Sequence, residues 1–346
     1  MGAEAGKAMK LDFTIPVNGP ADCRDVVRQA ERDGYDGAWT SEIKHDPFLS
    51  LALAVTATER IELGSAIALA FARNPMSVAV LGNDLQELSG GRVMLGLGTQ
   101  VKAHITRRFG MPWSRPARRM REYVLALRAI WAAWEHGTKL DFEGEFYTHT
   151  LMTPMFVPAP HPYGPPRVLL AGVGTAMTET AGEVADGFLC HGFTTERYLR
   201  EVTVPALARG RDKAGRTLDG FEITGSVMLA AGRTEEELAG AIAGARKQIA
   251  FYGSTPAYRQ VLESHGWGEL GDELHTLSRS GRWEEMAMLI DDELLHTVAI
   301  VGKPDEVAAG LRRTYGDILT RVSLYTPYEV APGLSTELAA AVRDAA

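Results

Sequence analysis

The most informative stretch of this chain is Glu87–Gln100, which reads ELSGGRVMLGLGTQ. The pair Gly90-Gly91 can adopt the positive φ that ends a helix. The apolar run Val93–Leu97 that follows is typical of a strand covered on both faces. Gly96 and Gly98 lack side chains, so we expect the backbone here to approach a ligand closely. Because parallel α/β proteins bind ligands at the carboxyl ends of their strands, the stretch predicts a binding site at this strand end.

Composition and charge argue against several classes of function. The chain has 346 residues, of which 45% are hydrophobic and 23% charged, as is usual for a water-soluble protein with a large core. A net charge of −8 argues against sequence-independent nucleic-acid binding, which needs a basic surface. The two cysteines, Cys23 and Cys190, have no metal-ligand spacing, so we expect a reducing cytoplasm and neither a disulfide framework nor a metal site.

Short β-rich runs alternate with longer amphipathic runs along almost the whole chain, which is typical of βα units. Eight strands are predicted, at Lys10–Ile15, Gly37–Glu42, Ile61–Ile67, Val93–Thr99, Arg167–Gly172, Gly187–Gly192, Phe221–Ala231 and Arg321–Pro327. Seven helices are predicted, several opened by proline or a capping residue, at Ala21–Asp33, Pro47–Thr58, Pro75–Ser89, Pro116–His136, Ala176–Val184, Thr234–Phe251 and Pro304–Tyr315. Eight strands and at least seven helices that alternate within 346 residues predict an α/β fold with a single (β/α)8 TIM barrel.

Two long connections are predicted as insertions into the barrel. Residues 147–166 contain six prolines and are predicted to form a surface loop between the fourth helix and the fifth strand. Residues 253–295 are predicted to form an irregular segment, and connections of this length are usually lids or interface elements. Four aromatic residues in or beside this segment either close a pocket or pack against a second subunit: Tyr252, Tyr258, Trp267 and Trp283.

The predicted organisation is a leader at residues 1–8, a barrel at 9–330 and a C-terminal helical tail at 331–346. Residues 1–8 lack the apolar region of a signal peptide and are interpreted as a flexible leader. No uncharged apolar run reaches the roughly 18 residues that a membrane-spanning helix needs, so we expect no membrane association.

Several ordered motifs resemble those of the luciferase-like monooxygenase superfamily, over about residues 10 to 327. Within it, the chain most resembles the deazaflavin branch, whose members use coenzyme F420. The motifs that carry the resemblance are Ala38-Trp39-Thr40-Ser41-Glu42, Ser89-Gly90-Gly91-Arg92, Leu95-Gly96-Leu97-Gly98, Arg107-Arg108-Phe109-Gly110, Arg118-Arg119-Met120-Arg121-Glu122, Phe142-Glu143-Gly144-Glu145-Phe146-Tyr147, Ala181-Gly182 and Ala185-Asp186-Gly187.

The resemblance implies where the cofactor would lie. Its ring is expected across the ends of strands two to four, near Glu42, His45, Ala66, Ile67, Gly98, Thr99, Gln100 and His104. Its phosphate is expected at the start of the helix after strand five, at Gly174, Thr175, Ala176 and Met177. The small-residue turn Gly172–Thr175 supports this independently, because a helix start attracts anions, although it would also serve as a plain tight connection. The family often has a cis peptide under the ring, here expected at Ala66-Ile67.

A local excess of positive charge follows the fourth strand. Residues 101–121 contain no acidic residue and seven cations: Lys102, Arg107, Arg108, Arg115, Arg118, Arg119 and Arg121. One interpretation is a site for the phosphodiester and oligoglutamate tail of the deazaflavin, since FMN offers a single phosphate. The other is a solvated surface in which Arg118 and Arg119 pair with Glu122 and its neighbours.

His45 is the first candidate for proton transfer, because hydride transfer at C5 of the ring leaves a proton to be moved and imidazole titrates near neutrality. The family commonly has an acidic residue followed directly by histidine after strand two. Here the sequence is Glu42-Ile43-Lys44-His45-Asp46, so either His45 or Glu42 moves the proton, while Asp46 is a candidate helix cap.

Four residues are candidates for the substrate pocket, namely Trp39, Phe71, His191 and Phe193, although aromatic residues at strand ends also pack in cores. The predicted function is hydride transfer between C5 of F420 and a small organic substrate, by a homodimer or larger homo-oligomer. One alternative is an FMN-dependent monooxygenase that uses O2 on the same fold. The other is a non-catalytic barrel that binds a flavin or another protein.

Overall fold

Eight parallel strands form a closed barrel in the computed structural model, which describes residues 9–16 and 19–344. The strands follow one another around the barrel in chain order, and the eighth pairs with the first through Lys10 and Arg321. All eight predicted strands are confirmed, and the fold is a (β/α)8 TIM barrel. They are β1 (Lys10–Thr14), β2 (Gly37–Thr40), β3 (Glu62–Ser65), β4 (Val93–Gly98), β5 (Arg167–Ala171), β6 (Gly187–Cys190), β7 (Glu222–Ala231) and β8 (Arg321–Tyr325). The predicted leader lies outside the described residues.

Short strands extend this framework. Ala68–Leu69 continues the path of β3 and pairs with the end of β4, and Ala299–Gly302 pairs with the outer part of β7. Phe142–Glu143 and Thr148–His149 form a small antiparallel hairpin at the start of the long loop predicted at 147–166. The rest of that loop carries one short helical turn, Pro154–Phe156, so it is a long surface connection as predicted.

Helices cover the outside of the barrel. All seven predicted helices are present, and Gly90 ends α3 with a φ of 67° as expected. The helices are α1 (Cys23–Arg32), α2 (Pro47–Val55), α3 (Pro75–Ser89), α4 (Pro116–His136), α5 (Thr175–Val184), α6 (Val204–Lys213), α7 (Glu235–Gly253), α8 (Arg259–Glu263), α9 (Gly268–Arg279), α10 (Trp283–Met288), α11 (Asp292–Val298), α12 (Pro304–Tyr315) and α13 (Leu334–Asp344). No helix of the described residues is long and apolar enough to cross a membrane.

The helix after β6 was not predicted. It starts as a short turn at Glu196–Tyr198, widens into a π-helical turn at Leu199–Thr203, and continues as α6. Pro205 lies just after the π-helical turn, so its missing N–H falls where the regular α-helical hydrogen bonding is already interrupted. The proline and the β-branched residues just before it obscure the helical pattern in the sequence.

The insertion at 253–295 is helical rather than irregular. It contains α8, α9, α10 and the start of α11, which pack with α7 around their own apolar cluster. The prediction was wrong because each helix is short, and Gly266 and Gly281 interrupt them with positive φ values of 81° and 70°. Such interruptions leave no sustained helical period to detect.

Charged residues fill the amino-terminal end of the barrel, where the strands begin. Arg321 of β8 is fully buried, and its Nε and Nη2 donate to the two carboxylate oxygens of Asp12 at 2.8 and 2.6 Å. Its Nη1 also contacts Glu62 of β3. Lys10 and Arg167 contact Glu62 as well, at 2.6 and 2.5 Å. These pairs join β1, β3, β5 and β8 and leave the opposite end free for a site.

Candidate active site at the barrel mouth

The connection after β3 forms a bulge at the carboxyl end of the barrel. The Ala66-Ile67 peptide bond is cis, as the family resemblance implied. The loop after β2 holds this bulge through three hydrogen bonds. The hydroxyl of Ser41 donates to the Ala66 carbonyl at 2.8 Å, the Ala66 N–H donates to the Thr40 carbonyl at 2.6 Å, and the Glu42 N–H donates to the Ile67 carbonyl at 3.1 Å.

Gly96 and Gly98 of β4 leave room for this bulge to pack against β4. A Cβ atom on Gly96 would overlap the Ser65 carbonyl oxygen, and one on Gly98 would overlap the side chain of Ile67. The hydroxyl of Ser65 also donates to the Gly96 carbonyl at 2.8 Å. The space that we expected for a ligand at these glycines is therefore filled by the neighbouring strand. The sequence indicated that some group approaches the backbone of Gly96 and Gly98 closely, but it did not show that this group belongs to the protein itself.

Glu42 is held in a network with Arg73, a residue that the sequence analysis missed. Its Oε2 accepts hydrogen bonds from the Leu69 N–H at 2.8 Å and from Arg73 at 2.6 Å, and its side chain is 6% exposed. Arg73 also contacts Asp46 at 2.7 Å, and Asp46 accepts from the Phe48 N–H and caps α2 as predicted. Burial opposes the charge of Arg73, but Glu42 and Asp46 outweigh it and hold the pKa of Arg73 above its ordinary value.

His45 faces a different neighbour from Glu42. Its side chain is exposed, and its Nε2 lies 3.5 Å from the position that a Cβ atom on Gly19 would take. His45 thus lines a small opening with residues of the loops after β1 and β2, including Pro16 and Ser41. The two predicted catalytic residues therefore lie in one loop, but the carboxylate is ion-paired and the imidazole is accessible.

The end of β4 turns sharply. Gln100 has a φ of 59°, which is uncommon for a residue with a side chain, and its amide oxygen accepts from the Val101 N–H at 3.0 Å. The hydroxyl of Thr99 donates to the Gln100 carbonyl at 2.9 Å. His104 is exposed and begins a π-helical turn, His104–Arg108. Thr99, Gln100 and His104 thus lie beyond the strand end as predicted, and their role as cofactor contacts stays a prediction.

The basic segment at 101–121 divides into two parts. In the second part, Arg115 and Arg118 pair with Glu145, and Arg121 pairs with Glu183. In the first part, Arg108 donates to the Ile43 carbonyl at 3.0 Å. Within the residues that the structure describes, the remaining cations of this first part, Lys102 and Arg107, form no ion pair.

Arg119 and Glu122 do not pair with each other, as the solvated-surface alternative had suggested, but bind other groups. Arg119 is 6% exposed, lies over the ring of Phe71 at 4.4 Å and donates to the Tyr147 hydroxyl at 2.8 Å. Glu122 accepts from the backbone N–H groups of residues 145–147, at 2.6 to 2.9 Å. Both residues fasten the loop after α4 to the barrel, which their spacing along one helix did not reveal.

The turn after β5 suits an anion. Gly174 has a φ of 81°, and α5 begins at the next residue, so the N–H groups of its first turn have no acceptor within the helix. A Cβ atom on Gly172 would overlap the side chain of Met177, which is 7% exposed and packs beneath the turn. Thr175 and Ala176 are accessible at the helix start. A phosphate would meet free donors and the positive end of the helix dipole here.

Three of the four predicted pocket residues pack in the interior. Trp39 is 2% exposed and fills the inside of the barrel against Met94, while Phe71 and Phe193 are 0% and 1% exposed. Phe71 meets Trp113 edge to face, with ring centroids 5.7 Å apart. These side chains offer almost no surface to a substrate, so we assign them to packing.

His191 lies just beyond β6 within a group of aromatic residues. Its ring stacks on Tyr258 with centroids 4.2 Å apart and meets the edge of Tyr252 at 4.8 Å. The Phe193 N–H donates to its Nδ1 at 3.0 Å. The hydroxyls of Tyr252 and Tyr325 are 3.1 Å apart. We call His191, Tyr252, Tyr258 and Tyr325 the aromatic cluster. Of the two alternatives for Tyr252 and Tyr258, the structure shows packing onto the mouth of their own chain.

The two tryptophans of the insertion at 253–295 have different surroundings. Trp267, another aromatic residue of the insertion, stacks on His265 with centroids 4.9 Å apart, and Trp283 is 50% exposed. Among residues 9–16 and 19–344, no group of three or more His, Cys, Asp or Glu side chains lies together so as to hold a metal ion.

Comparisons with known proteins agree with this architecture. An uncharacterized protein of Mycobacterium tuberculosis is 58% identical over 316 residues, covering 91% of this chain and 93% of that protein. A second protein of that organism, provisionally named a coenzyme F420-dependent oxidoreductase, is 29% identical over 88% of this chain and 90% of its own length.

Among solved structures, the coenzyme F420-dependent tetrahydromethanopterin reductase of Methanopyrus kandleri superposes with a TM-score of 0.77. The match has 21% identity and covers 96% of this chain and 97% of that one, and at this identity it shows the fold. A family model described as luciferase-like monooxygenase matches residues 5–321. The chain therefore belongs to the luciferase-like monooxygenase family.

Proposed function

We propose that this protein is a deazaflavin-dependent oxidoreductase, which moves a hydride between C5 of coenzyme F420 and a small organic substrate. The observation that carries the choice of coenzyme is that two cations just beyond β4, Lys102 and Arg107, form no ion pair with the described part of a chain whose net charge is −8. A coenzyme with a phosphodiester and an oligoglutamate tail suits these charges better than one with a single phosphate. Relatives named for F420 support the same choice.

The residues at the mouth fit such a coenzyme. Gly174 and the first-turn N–H groups of Thr175, Ala176 and Met177 would hold a phosphate group, because these donors lack partners within the helix. The bulge at Ala66-Ile67 would support the ring from below. When bound, the deazaflavin supplies hydride transfer at C5. Gln100 and His104 would lie at the flank of the ring.

His45 is the group that we propose for proton transfer. The substrate atom next to the reacting carbon must gain or lose a proton when a hydride moves, and an accessible imidazole can supply or accept it. Glu42 is less suited to this task, because its carboxylate already accepts from Arg73 and from the Leu69 N–H. We assign Glu42 as a positioning residue, which holds the loop after β2 against the bulge.

The first experiment is equilibrium binding of oxidised F420 and of FMN to the purified protein, by fluorescence titration at two salt concentrations. We expect tight, salt-sensitive binding of F420 and weak binding of FMN. Preference for FMN would overturn the proposal and favour an oxygen-using monooxygenase. Tight F420 binding without turnover of any alcohol, aldehyde, ketone or imine in a broad panel would favour a non-catalytic barrel.

A matched pair of variants tests the phosphate position. Thr175→Asp adds a negative charge at the accessible first residue of α5 and is expected to abolish binding of either coenzyme. Thr175→Asn is the control, because asparagine has nearly the same shape as aspartate and carries no charge. Equal binding by the two variants would place the phosphate elsewhere.

Variants of His45 and Glu42 distinguish the proposed proton-transfer role of His45 from the positioning role of Glu42. We expect His45→Gln to bind F420 as the wild type does but to slow single-turnover hydride transfer. Glu42→Gln is expected to weaken coenzyme binding, because it weakens the hydrogen bonds that the side chain of residue 42 accepts from Arg73 and from the Leu69 N–H, two residues beyond the bulge. An unchanged hydride-transfer rate in His45→Gln would remove His45 from the proton path.

A further inference from the structure

The aromatic cluster over β6 and β8 takes no part in coenzyme binding as proposed above. We propose that it is the binding site for the oxygen atom of a neutral substrate, a carbonyl or hydroxyl group, with His191 as donor through Nε2–H and the Tyr252–Tyr325 hydroxyl pair as second partner. The inference rests on the proposed function in one respect, because this oxygen would be carried by the carbon that exchanges the hydride.

The tautomer of His191 follows from one hydrogen bond. The Phe193 N–H donates to Nδ1 at 3.0 Å, so Nδ1 carries no proton and the neutral ring carries its proton on Nε2. Burial lowers the pKa of His191 to about 4, which keeps the ring neutral at physiological pH. Within the residues that the structure describes, no group accepts from Nε2, so this donor is available.

The ring is also fixed in orientation. Tyr258 stacks on one face with an interplanar angle of 22°, and Tyr252 meets it edge to face at 78°. His191 follows β6 directly, and Tyr325 is the last residue of β8, so both lie at the carboxyl ends of barrel strands, where TIM barrels bind their ligands. A fixed donor at this end is suited to hold a substrate atom in one position.

The surroundings favour a neutral group. The rings that contact His191 are those of Tyr252 and Tyr258, Phe193 packs against both tyrosines, and burial is the single cause that lowers the pKa of His191. Carboxylates and phosphates are usually bound by arginine or lysine. A carbonyl oxygen needs only donors, and the cluster offers two, since one tyrosine hydroxyl of the pair donates to the other and the second keeps its own proton free.

His191 is a donor and not the source of the proton. Loss of the Nε2 proton would leave an imidazolate, because Nδ1 is occupied by the Phe193 N–H, and burial disfavours that charge as well. His191 would therefore polarise a carbonyl while remaining neutral throughout, and the proton would come from another group.

The test is nuclear magnetic resonance of the full chain labelled with 15N-histidine, with His191→Asn to identify the His191 signals. We expect a neutral Nε2–H tautomer at pH 7, and a shift of the Nε2 signal on addition of cyclohexanone but not of cyclohexanecarboxylate. An imidazolium ring, the Nδ1–H tautomer, or no response to the ketone would overturn the proposal. The measurement needs no coenzyme, so it is independent of whether F420 binds.

Two variants of the same residue separate the donor from the fold. Asparagine can accept from the Phe193 N–H but has no group at the Nε2 position, whereas glutamine places an N–H donor there. We expect roughly tenfold weaker binding of cyclohexanone to His191→Asn, the loss of about one hydrogen bond, and affinity within about threefold of wild type for His191→Gln. His136→Asn, at an exposed histidine that ends α4, is the control and should bind as the wild type does. Equal affinities of the Asn and Gln variants would contradict the assignment.

Discussion

The two ends of the barrel treat their polar groups in opposite ways. At the amino-terminal end, Arg321 is fully buried and surrounded by carboxylates, so each charge has a partner. At the mouth, His191 is largely buried but neutral, and its Nε2 donor has no acceptor among the described residues. The difference teaches which end is built for stability and which for ligands, because paired charges hold strands together, whereas a donor that no protein group uses can bind a ligand at the carboxyl ends of the strands.

The largest effect is expected from breaking the charged end. In Arg321→Met, Asp12 loses the partner that contacts both of its oxygens, and a buried carboxylate remains. We expect a loss of about 3 to 5 kcal/mol in the free energy of unfolding, measured with urea. Lys139→Met is the control, since the pair of Lys139 with Asp141 is exposed and 3.7 Å long, and its stability should not change. A similar stability for both variants would show that the network is dispensable.

The second effect concerns the bulge at the mouth. In Gly96→Ala the new methyl group overlaps the Ser65 carbonyl, which is backbone and cannot move aside easily. We expect a loss of about 3 kcal/mol, at the upper end for overpacking, together with loss of coenzyme binding. Gly240→Ala is the matched control, because Gly240 lies within α7 with nothing within 4 Å, and there alanine should stabilise by about 0.5 to 1 kcal/mol.

The two ends also differ in their response to acid. The pKa of His191 is lowered to about 4, below its ordinary value of 6.5, so the unfolded chain binds more protons and stability falls as the pH drops from 6.5 towards 4. Burial opposes the charge of Glu62, but Arg321, Lys10 and Arg167 outweigh it and lower its pKa to about 2. Its contribution is therefore lost only below about pH 4.5.

Urea unfolding at pH 7.5 and pH 5 separates these contributions. His191 should account for about 2 kcal/mol of the stability that the wild type loses between these pH values. His191→Gln should lose less by that amount, while Lys139→Met, which changes an exposed pair, should lose as much as the wild type does. An equal loss in His191→Gln and wild type would mean that His191 is protonated in the folded protein.

The two ends were not equally predictable from the sequence. The eight strands could be located because each is a short apolar run between breakers. The pairing of Asp12 with Arg321 could not, because the two residues are 309 positions apart and meet only when the barrel closes. At the mouth, the family resemblance indicated that the loops after β2, β3 and β5 would form the cofactor site. His191, Tyr252 and Tyr258 were each singled out in the sequence, but their meeting with Tyr325 in one cluster was not predicted, because they come from different parts of the chain, namely the end of β6, α7 and the turn after α7.

The misassigned residues have a similar explanation. Trp39 is the last residue but one of β2. From the sequence alone, a tryptophan near a strand end that fills the barrel looks the same as one that faces the mouth. The sequence indicated that position 98 needs a small residue, but the side chain that occupies the space, Ile67, lies in the bulge after β3, about 30 positions away in the chain. Sequence patterns indicate which positions are constrained, and the contacts across the barrel decide what constrains them.

The smallest effect is expected in the basic segment. Reversing Lys102 and Arg107 to glutamate removes two unpaired cations near the mouth, so we expect F420 affinity to fall roughly three- to tenfold at low salt, with little change in FMN affinity. The effect should shrink as salt rises, because exposed charges are screened. Arg118→Glu is the control, since Arg118 pairs with Glu145, and its F420 affinity should remain close to wild type. If the double variant binds F420 as tightly as Arg118→Glu at every salt concentration, the segment is a solvated surface and the coenzyme tail lies elsewhere.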